Sequence, residues 1–238
     1  MLGQLLGLTI AVLLASPPSA PAASPSPHKS LSILLVGASG MIGSRILKEA
    51  SSRGHHVLAA ARHPEKIAAG SGITAVRLDA ADRAAFAALA RQADVIVLAT
   101  SPRGGGDPMS EEKTVADTAI DVAHATGKRL VVVGGAGSLN RPDGTPLVDT
   151  LPAAYQREAR AMRAVLEALK SSDVDWTFFS PAFSIAPGKR TGHYRLGTTV
   201  LLSNEQGESR ISAEDYAVAL VNELESPAHR HAQMTIAY

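Results

Sequence analysis

Three glycines, Gly37, Gly40 and Gly43, carry the first chemical signal in the chain. They follow an almost wholly apolar run at residues 31–36 and precede a stretch with helical spacing. A continuous apolar run of that length suits a strand covered on both faces. In a strand, turn and helix of this kind, Gly37 permits the tight turn, Gly40 lets the backbone approach a diphosphate, and Gly43 lets the helix pack closely. Together with Ser39, Met41 and Ile42 they form the expected phosphate cradle, in which unpaired N–H groups and the helix dipole hold the anion. Glycine-rich turns are common; the strand before and the helix after make this one a dinucleotide signal.

The other candidates come from the rule that ligands of a doubly wound sheet lie beyond the carboxyl ends of its strands. Arg62 follows the second predicted strand, where an acidic residue would favour a free ribose 2′-hydroxyl. A guanidinium suits a 2′-phosphate instead, and Ser39 can add a hydroxyl, so NADP(H) is expected over NAD. Lys66 can serve in place of Arg62. Asp79, after the third strand, can accept from the adenine amino group or simply form a turn. Thr100 and Ser101 end the fourth strand near the second ribose, and Gly134 and Pro181 follow the fifth and sixth, bordering the nicotinamide.

These positions depend on an alternation of strands and helices. A helix is expected over residues 41–53, with Ile42, Ile46, Leu47 and Ala50 on one face and Gly54 ending it. Strands follow at 56–61 and 73–78, separated by a short helical turn at His63-Pro64-Glu65-Lys66. Asp82 caps a helix to about residue 90. A fourth strand at 94–99 opens into an Arg103-Gly104-Gly105-Gly106 loop. A helix over 110–126 turns Val115, Thr118, Ala119, Val122 and Ala123 inward, and a fifth strand occupies 129–133. Residues 139–152 read as a surface loop, 153–170 as a long helix and 174–179 as a sixth strand. This order predicts an α/β, Rossmann-like, doubly wound parallel sheet with helices on both faces. Residues 188–207, with a β-prone piece at 199–202, read as a small excursion on the substrate side. Ser212 caps a last helix to about residue 224, and residues 233–238 return as a strand.

Composition narrows the function classes. The 238 residues are 45% hydrophobic and carry a formal net charge of +1 without blocks of like charge, so no nucleic-acid footprint is expected. The absence of cysteine excludes disulfides, thiolate nucleophiles and thiolate-ligated metals. The eight histidines are scattered, and no metal site is expected. Residues 1–28 hold no charged side chain before His28 and carry an apolar run at 5–15 followed by Ser16-Pro17-Pro18-Ser19-Ala20-Pro21-Ala22-Ala23. They read as a signal peptide cleaved after Ala22 or, alternatively, as a disordered tail ahead of the true start; the run is short for a membrane span. Residues 29–238 are then one NAD(P)-binding domain, exported and periplasmic if the signal is genuine and cytoplasmic otherwise.

The ordered set Gly37-Ala38-Ser39-Gly40-Met41-Ile42-Gly43, Arg62-His63-Pro64-Glu65-Lys66, Val133-Gly134-Gly135-Ala136-Gly137-Ser138-Leu139, Asp175-Trp176-Thr177 with Ser180-Pro181, and Arg190-Thr191-Gly192-His193-Tyr194-Arg195-Leu196-Gly197 resembles the atypical short-chain dehydrogenases/reductases. It is similar in particular to their NAD(P)H-binding group of flavin reductase-like and biliverdin reductase B-like proteins. The resemblance implies a catalytic serine at Ser138 and a tyrosine at Tyr155. Ordinary members of the superfamily place a lysine four residues after that tyrosine to ease its proton transfer; here the position is Ala159. His193 and Tyr194 are alternative proton donors if their segment folds over the nicotinamide. The function expected is an NADPH-dependent reductase passing hydride to a small-molecule acceptor, namely a flavin-like, quinone or other conjugated ring that needs little acid catalysis. The alternatives are a non-catalytic NAD(P)-binding redox sensor and, less favoured, a sugar-nucleotide epimerase.

Overall fold

Alternation along the first strand sets up the layers. In the computed structural model, which describes residues 29–101 and 107–238, β1 (Ser32–Val36) sends Ile33 and Leu35 into one apolar core and Leu34 and Val36 into another. A strand presents successive side chains to opposite faces, so a run apolar at every position must be covered twice. The first core is closed by α1 (Met41–Ser52) and α5 (Ala213–Glu225). The second is closed by α2 (Arg83–Ala90), α3 (Pro108–Thr126) and α4 (Ala153–Lys170).

Between these layers lie β2 (His56–Ala61), β3 (Ile73–Arg77), β4 (Val95–Leu98), β5 (Arg129–Val133) and β6 (Trp176–Ser180). Short β7 (Ser184–Ala186), β8 (Arg195–Gly197) and β9 (Arg210–Ser212) follow, and β10 (Ala232–Ala237) closes the chain. The eight-stranded sheet has the order β3-β2-β1-β4-β5-β6-β10-β8, with β8 alone antiparallel, against β10. The parallel, doubly wound sheet expected from the sequence is the fold observed. Its order reverses between β1 and β4, which creates the crevice where such sheets take ligands.

Local rules placed many boundaries. Asp82 caps α2 by accepting from Ala85 N–H at 3.0 Å, and Ser212 caps α5 through Asp215 N–H at 3.0 Å. Gly127 ends α3 in the left-handed conformation. Three expectations change. The 139–152 segment is not simply a surface loop, because Leu139, Leu147 and Val148 are buried and residues 147–150 form a 3-10 turn. Residues 199–202 form no strand of their own; instead Asn140 N–H donates to Thr199 O at 2.8 Å and Leu201 N–H to Asn140 O at 2.9 Å, which pins the excursion to the loop after β5. On α3 the buried face runs through Glu112 and Ala116, while Thr118 is only half-buried. The segment 1–28 and the loop over Arg103–Gly106 lie outside the described residues.

Glu112 is the exception on that α3 face. Burial, with Glu158 and Glu111 close by, pushes its carboxyl from an ordinary 4.5 up to about 7. The folded chain therefore keeps a proton that the unfolded chain releases, and stability falls as pH rises from about 5 through 7. Glu112→Gln should remove a penalty of up to about 3 kcal/mol at pH 8. Thermal unfolding checks this: the variant's Tm should exceed the parent's by up to about 10 °C at pH 8 and match it at pH 5.

Candidate active site

The turn after β1 is shaped by what its glycines cannot carry. Gly37 adopts φ +89°, and its N–H donates to Ala60 O at 2.9 Å. A Cβ on Gly37 would sit on the carbonyl oxygen of Ala99 at the end of β4, and one on Gly43 would sit on the carbonyl oxygen of Gly37. Both glycines are thus demanded by backbone packing. Gly40 differs in degree, since a Cβ there would meet Gly37 O at 3.2 Å and Ala99 O at 3.9 Å. It is also the N-cap of α1, with no side-chain cap and no acidic residue in the first turn, as at α4 behind Pro152, whereas α2, α3 and α5 are each capped by an Asp or Ser. A helix start with unpaired N–H groups, a positive dipole end and no competing oxygen is built for an anion. The residues present therefore fit the diphosphate of a dinucleotide. Ser39 is exposed at the turn, Met41 and Ile42 are half-buried beside it, and Gly43 is buried.

Along the adenosine side, Arg62 is exposed. Its carbonyl receives Arg77 Nη1 at 2.7 Å, while its guanidinium makes no hydrogen bond or ion pair among the described residues. Asp79 uses a carboxylate oxygen to accept from Ala81 N–H at 3.1 Å, so it does form a local turn. Thr100 is half-buried and Ser101 exposed past the end of β4.

Beyond the ends of β5 and β6, polar groups are committed to one another. The Ser138 hydroxyl donates to Gly135 O at 2.7 Å and lies 2.9 Å from the Ser180 hydroxyl. The Gln233 amide donates to both, at 3.1 and 3.0 Å. Ser138, Ser180 and Gln233 are all buried, so this cluster ties the turn after β5 to the end of β6 and the start of β10. Gln233, absent from the sequence-based candidates, was visible only as one of two polar residues, with Thr235, in a mostly apolar strand. Gly134 packs its Cα against the Phe178 ring, and Pro181 is buried.

Tyr155 stands in the first turn of α4 with 63% of its surface exposed. One turn on, Ala159 is buried against Gly137, where a Cβ on the glycine would sit on the Ala159 methyl. Position 159 is therefore a packing contact between α4 and the turn after β5, and no cation stands there. His193 is exposed. The Tyr194 hydroxyl accepts from Asn222 Nδ2 at 2.8 Å in the C-terminal half of α5, and burial pushes its phenol upward. That hydroxyl is directed along the helix, not over the carboxyl ends of the strands, because Asp215 holds the preceding residues through Thr191 N–H and Gly192 N–H, both at 2.8 Å.

The sequence pattern of the family described as NAD(P)H-binding matches residues 37–227. Among solved structures the chain is similar to a candidate exported protein of Burkholderia pseudomallei, at 44% identity and TM-score 0.79 over 87% of this chain and 100% of that one. It is similar to a candidate epimerase of Bacteroides thetaiotaomicron at 37% identity and TM-score 0.82, over 88% and 98%. It is also similar to a candidate NADH-flavin reductase of Streptococcus pneumoniae TIGR4 at 30% identity and TM-score 0.79, over 87% and 99%.

The glycines separate by experiment. Gly43→Ala should destabilise the fold by on the order of 3 kcal/mol, because two backbone segments must part. Gly40→Ala should keep the parent Tm within about 2 °C yet weaken NADPH binding by about tenfold or more, since its methyl intrudes where the diphosphate approaches. Thermal unfolding and cofactor titration on both variants make the comparison.

Proposed function

Because this chain belongs to the NAD(P)H-binding family, we propose that it is an NADPH-dependent reductase delivering hydride to a flavin-like, quinone or other conjugated acceptor. The observation that carries this reading is the seating of Ala159 on Gly137. A lysine there would lower the pKa of Tyr155 and supply the proton relay that carbonyl reduction uses. Without it, the described residues offer a cradle for the dinucleotide and no lysine one turn after Tyr155. An electron-poor ring accepts hydride and takes its proton from solvent, so the protein's work is to bind and orient.

The residues divide that work by position. The α1 N-terminus with Gly40 takes the diphosphate, and the free Arg62 guanidinium with Ser39 takes the 2′-phosphate. Thr100 and Ser101 border the second ribose, and Gly134 and Pro181 border the nicotinamide. Asp79 remains within reach of the adenine, its one engaged oxygen leaving another free. A bound reduced nicotinamide supplies the hydride. The similarity to a candidate NADH-flavin reductase supports a reductase.

Two other readings have specific motives. The absent cation also suits a non-catalytic redox sensor, which would bind both cofactor forms without turnover. The similarity to a candidate epimerase favours a sugar-nucleotide epimerase, but that chemistry depends on a tyrosine base activated by the missing lysine. For the N-terminal segment, we propose export, supported by the apolar run with its Ala22 cleavage site and by the similarity to a candidate exported protein. Among the described residues no helix is long and apolar enough to cross a membrane.

Purified protein supplied with NADPH should turn over at least one acceptor in a panel of flavins, quinones and aldehydes, with the conjugated rings favoured; silence across the panel overturns the reductase reading. Arg62→Ala should raise KM for NADPH by about tenfold and leave KM for NADH within about twofold, as measured by steady-state kinetics. N-terminal sequencing of the natural protein should begin at Ala23, and a retained Met1 removes the export proposal.

A further inference from the structure

Large apolar side chains exposed to solvent gather at one end of this molecule. Among the described residues they are Met109, Tyr155, Phe183, Leu196 and Val200. Met109 is in the first turn of α3 after β4, Tyr155 in the first turn of α4 after β5, and Phe183 just beyond β6. Leu196 and Val200 belong to the excursion, which is joined to β10 and to the loop after β5. None follows β1, β2 or β3, where the adenosine side is polar. A single exposed apolar residue needs no explanation; five around the same strand ends do.

Phe183 stands apart by how its backbone is held. Its N–H donates to the Ser209 hydroxyl at 3.1 Å, and the next N–H, of Ser184, donates to Ser209 O at 3.0 Å. Ala182 before it is buried in the core under α5, and Ser180 is tied to Ser138 at 2.9 Å. A ring 56% exposed thus rests on a backbone fixed on both sides. Rigid support of this kind is what a positioning surface requires, because an aromatic ring on a mobile loop would fix no plane. Across the carboxyl edge, where Met109 and Tyr155 sit, the Arg157–Asp107 ion pair at 2.7 Å joins the starts of α3 and α4.

We propose that the Phe183 ring is the stacking surface for the acceptor, so that the substrates are flat, conjugated heterocycles and not small aldehydes. The proposal rests on the reductase reading and narrows it. Offset stacking of one aromatic ring on another adds to the gain from burial alone, and it sets the plane in which the acceptor meets its donor.

Isothermal titration of riboflavin into the chain saturated with NADP+ reads the proposal without needing turnover. Phe183→Ala should weaken riboflavin by about tenfold and Phe183→Leu by about fivefold, while Phe183→Trp stays within about twofold. NADP+ affinity and Tm should be unchanged in all of them. Parent-like riboflavin affinity in Phe183→Leu, or no riboflavin binding to the unaltered chain, overturns the proposal. NADPH oxidation measured alongside separates the two ideas: binding through Phe183 without turnover of any acceptor keeps the stacking surface and removes the reductase.

Discussion

The first turn of α1 rests on the backbone carbonyl of Gly37, and only a residue without a Cβ at position 43 allows it. That contact sets how closely the helix approaches β1. The same demand recurs at Gly37, whose Cα lies against Ala99 O at the end of β4. Strand, turn, helix and neighbouring strand therefore converge on backbone atoms alone. Their convergence point is the reversal between β1 and β4, where the sheet opens a crevice beyond its carboxyl edge. Because the packing is made by backbone, the turn's remaining N–H groups are left facing outward, and Gly40 leaves room in front of them.

The face formed by α1 and α5 is then stitched by charge. Glu49 accepts from Arg190 and Arg53 at 2.7 to 2.8 Å, and the Arg190 contact leads in holding its carboxyl below the usual range despite partial burial. Arg53 continues to Glu225 at 2.7 Å, and His55 meets the same carboxylate at 3.0 Å. Asp215 receives Thr191, Gly192 and the Tyr238 hydroxyl, whose hydrogen bonds outweigh burial and keep it ionised. These carboxylates anchor the 188–195 segment to the helices. The excursion is therefore fastened outside the strand ends, and its distal part reaches back to the loop after β5.

The two halves of the crevice have opposite chemistry for a physical reason. The ends of β1 and β2 present a helix start without a side-chain cap and, among the described residues, a guanidinium at Arg62 with no hydrogen bond or ion pair, which suit anions. In the other half the polar side chains are consumed in the Ser138–Ser180–Gln233 cluster, whose donors and acceptors satisfy one another. Apolar side chains are among those that remain exposed there, beside charged ones such as Arg157 and Asp107.

Local rules made much of this legible from residues alone. The apolar run into Gly37, the caps at Asp82 and Ser212, and the stop at Gly127 each involve neighbours in sequence, so the sheet and the glycine turn at its edge could be read directly. Ala159 was also legible as a missing cation, because the helical spacing from Tyr155 is local. Tertiary structure decided what local rules do not reach. It put Ser138 in a buried cluster with residues from two other strand ends, and it sent the Tyr194 hydroxyl along α5 through contacts with Asp215 and Asn222. It also explained Ala159 by a glycine on another element and left Phe183 exposed on a fixed backbone. The sequence by itself determined the fold and the dinucleotide cradle, since both follow from periodicity and glycine geometry. The surroundings of the strand ends β5 and β6 were decided by segments far apart in the chain, whose side chains meet only when the sheet is assembled.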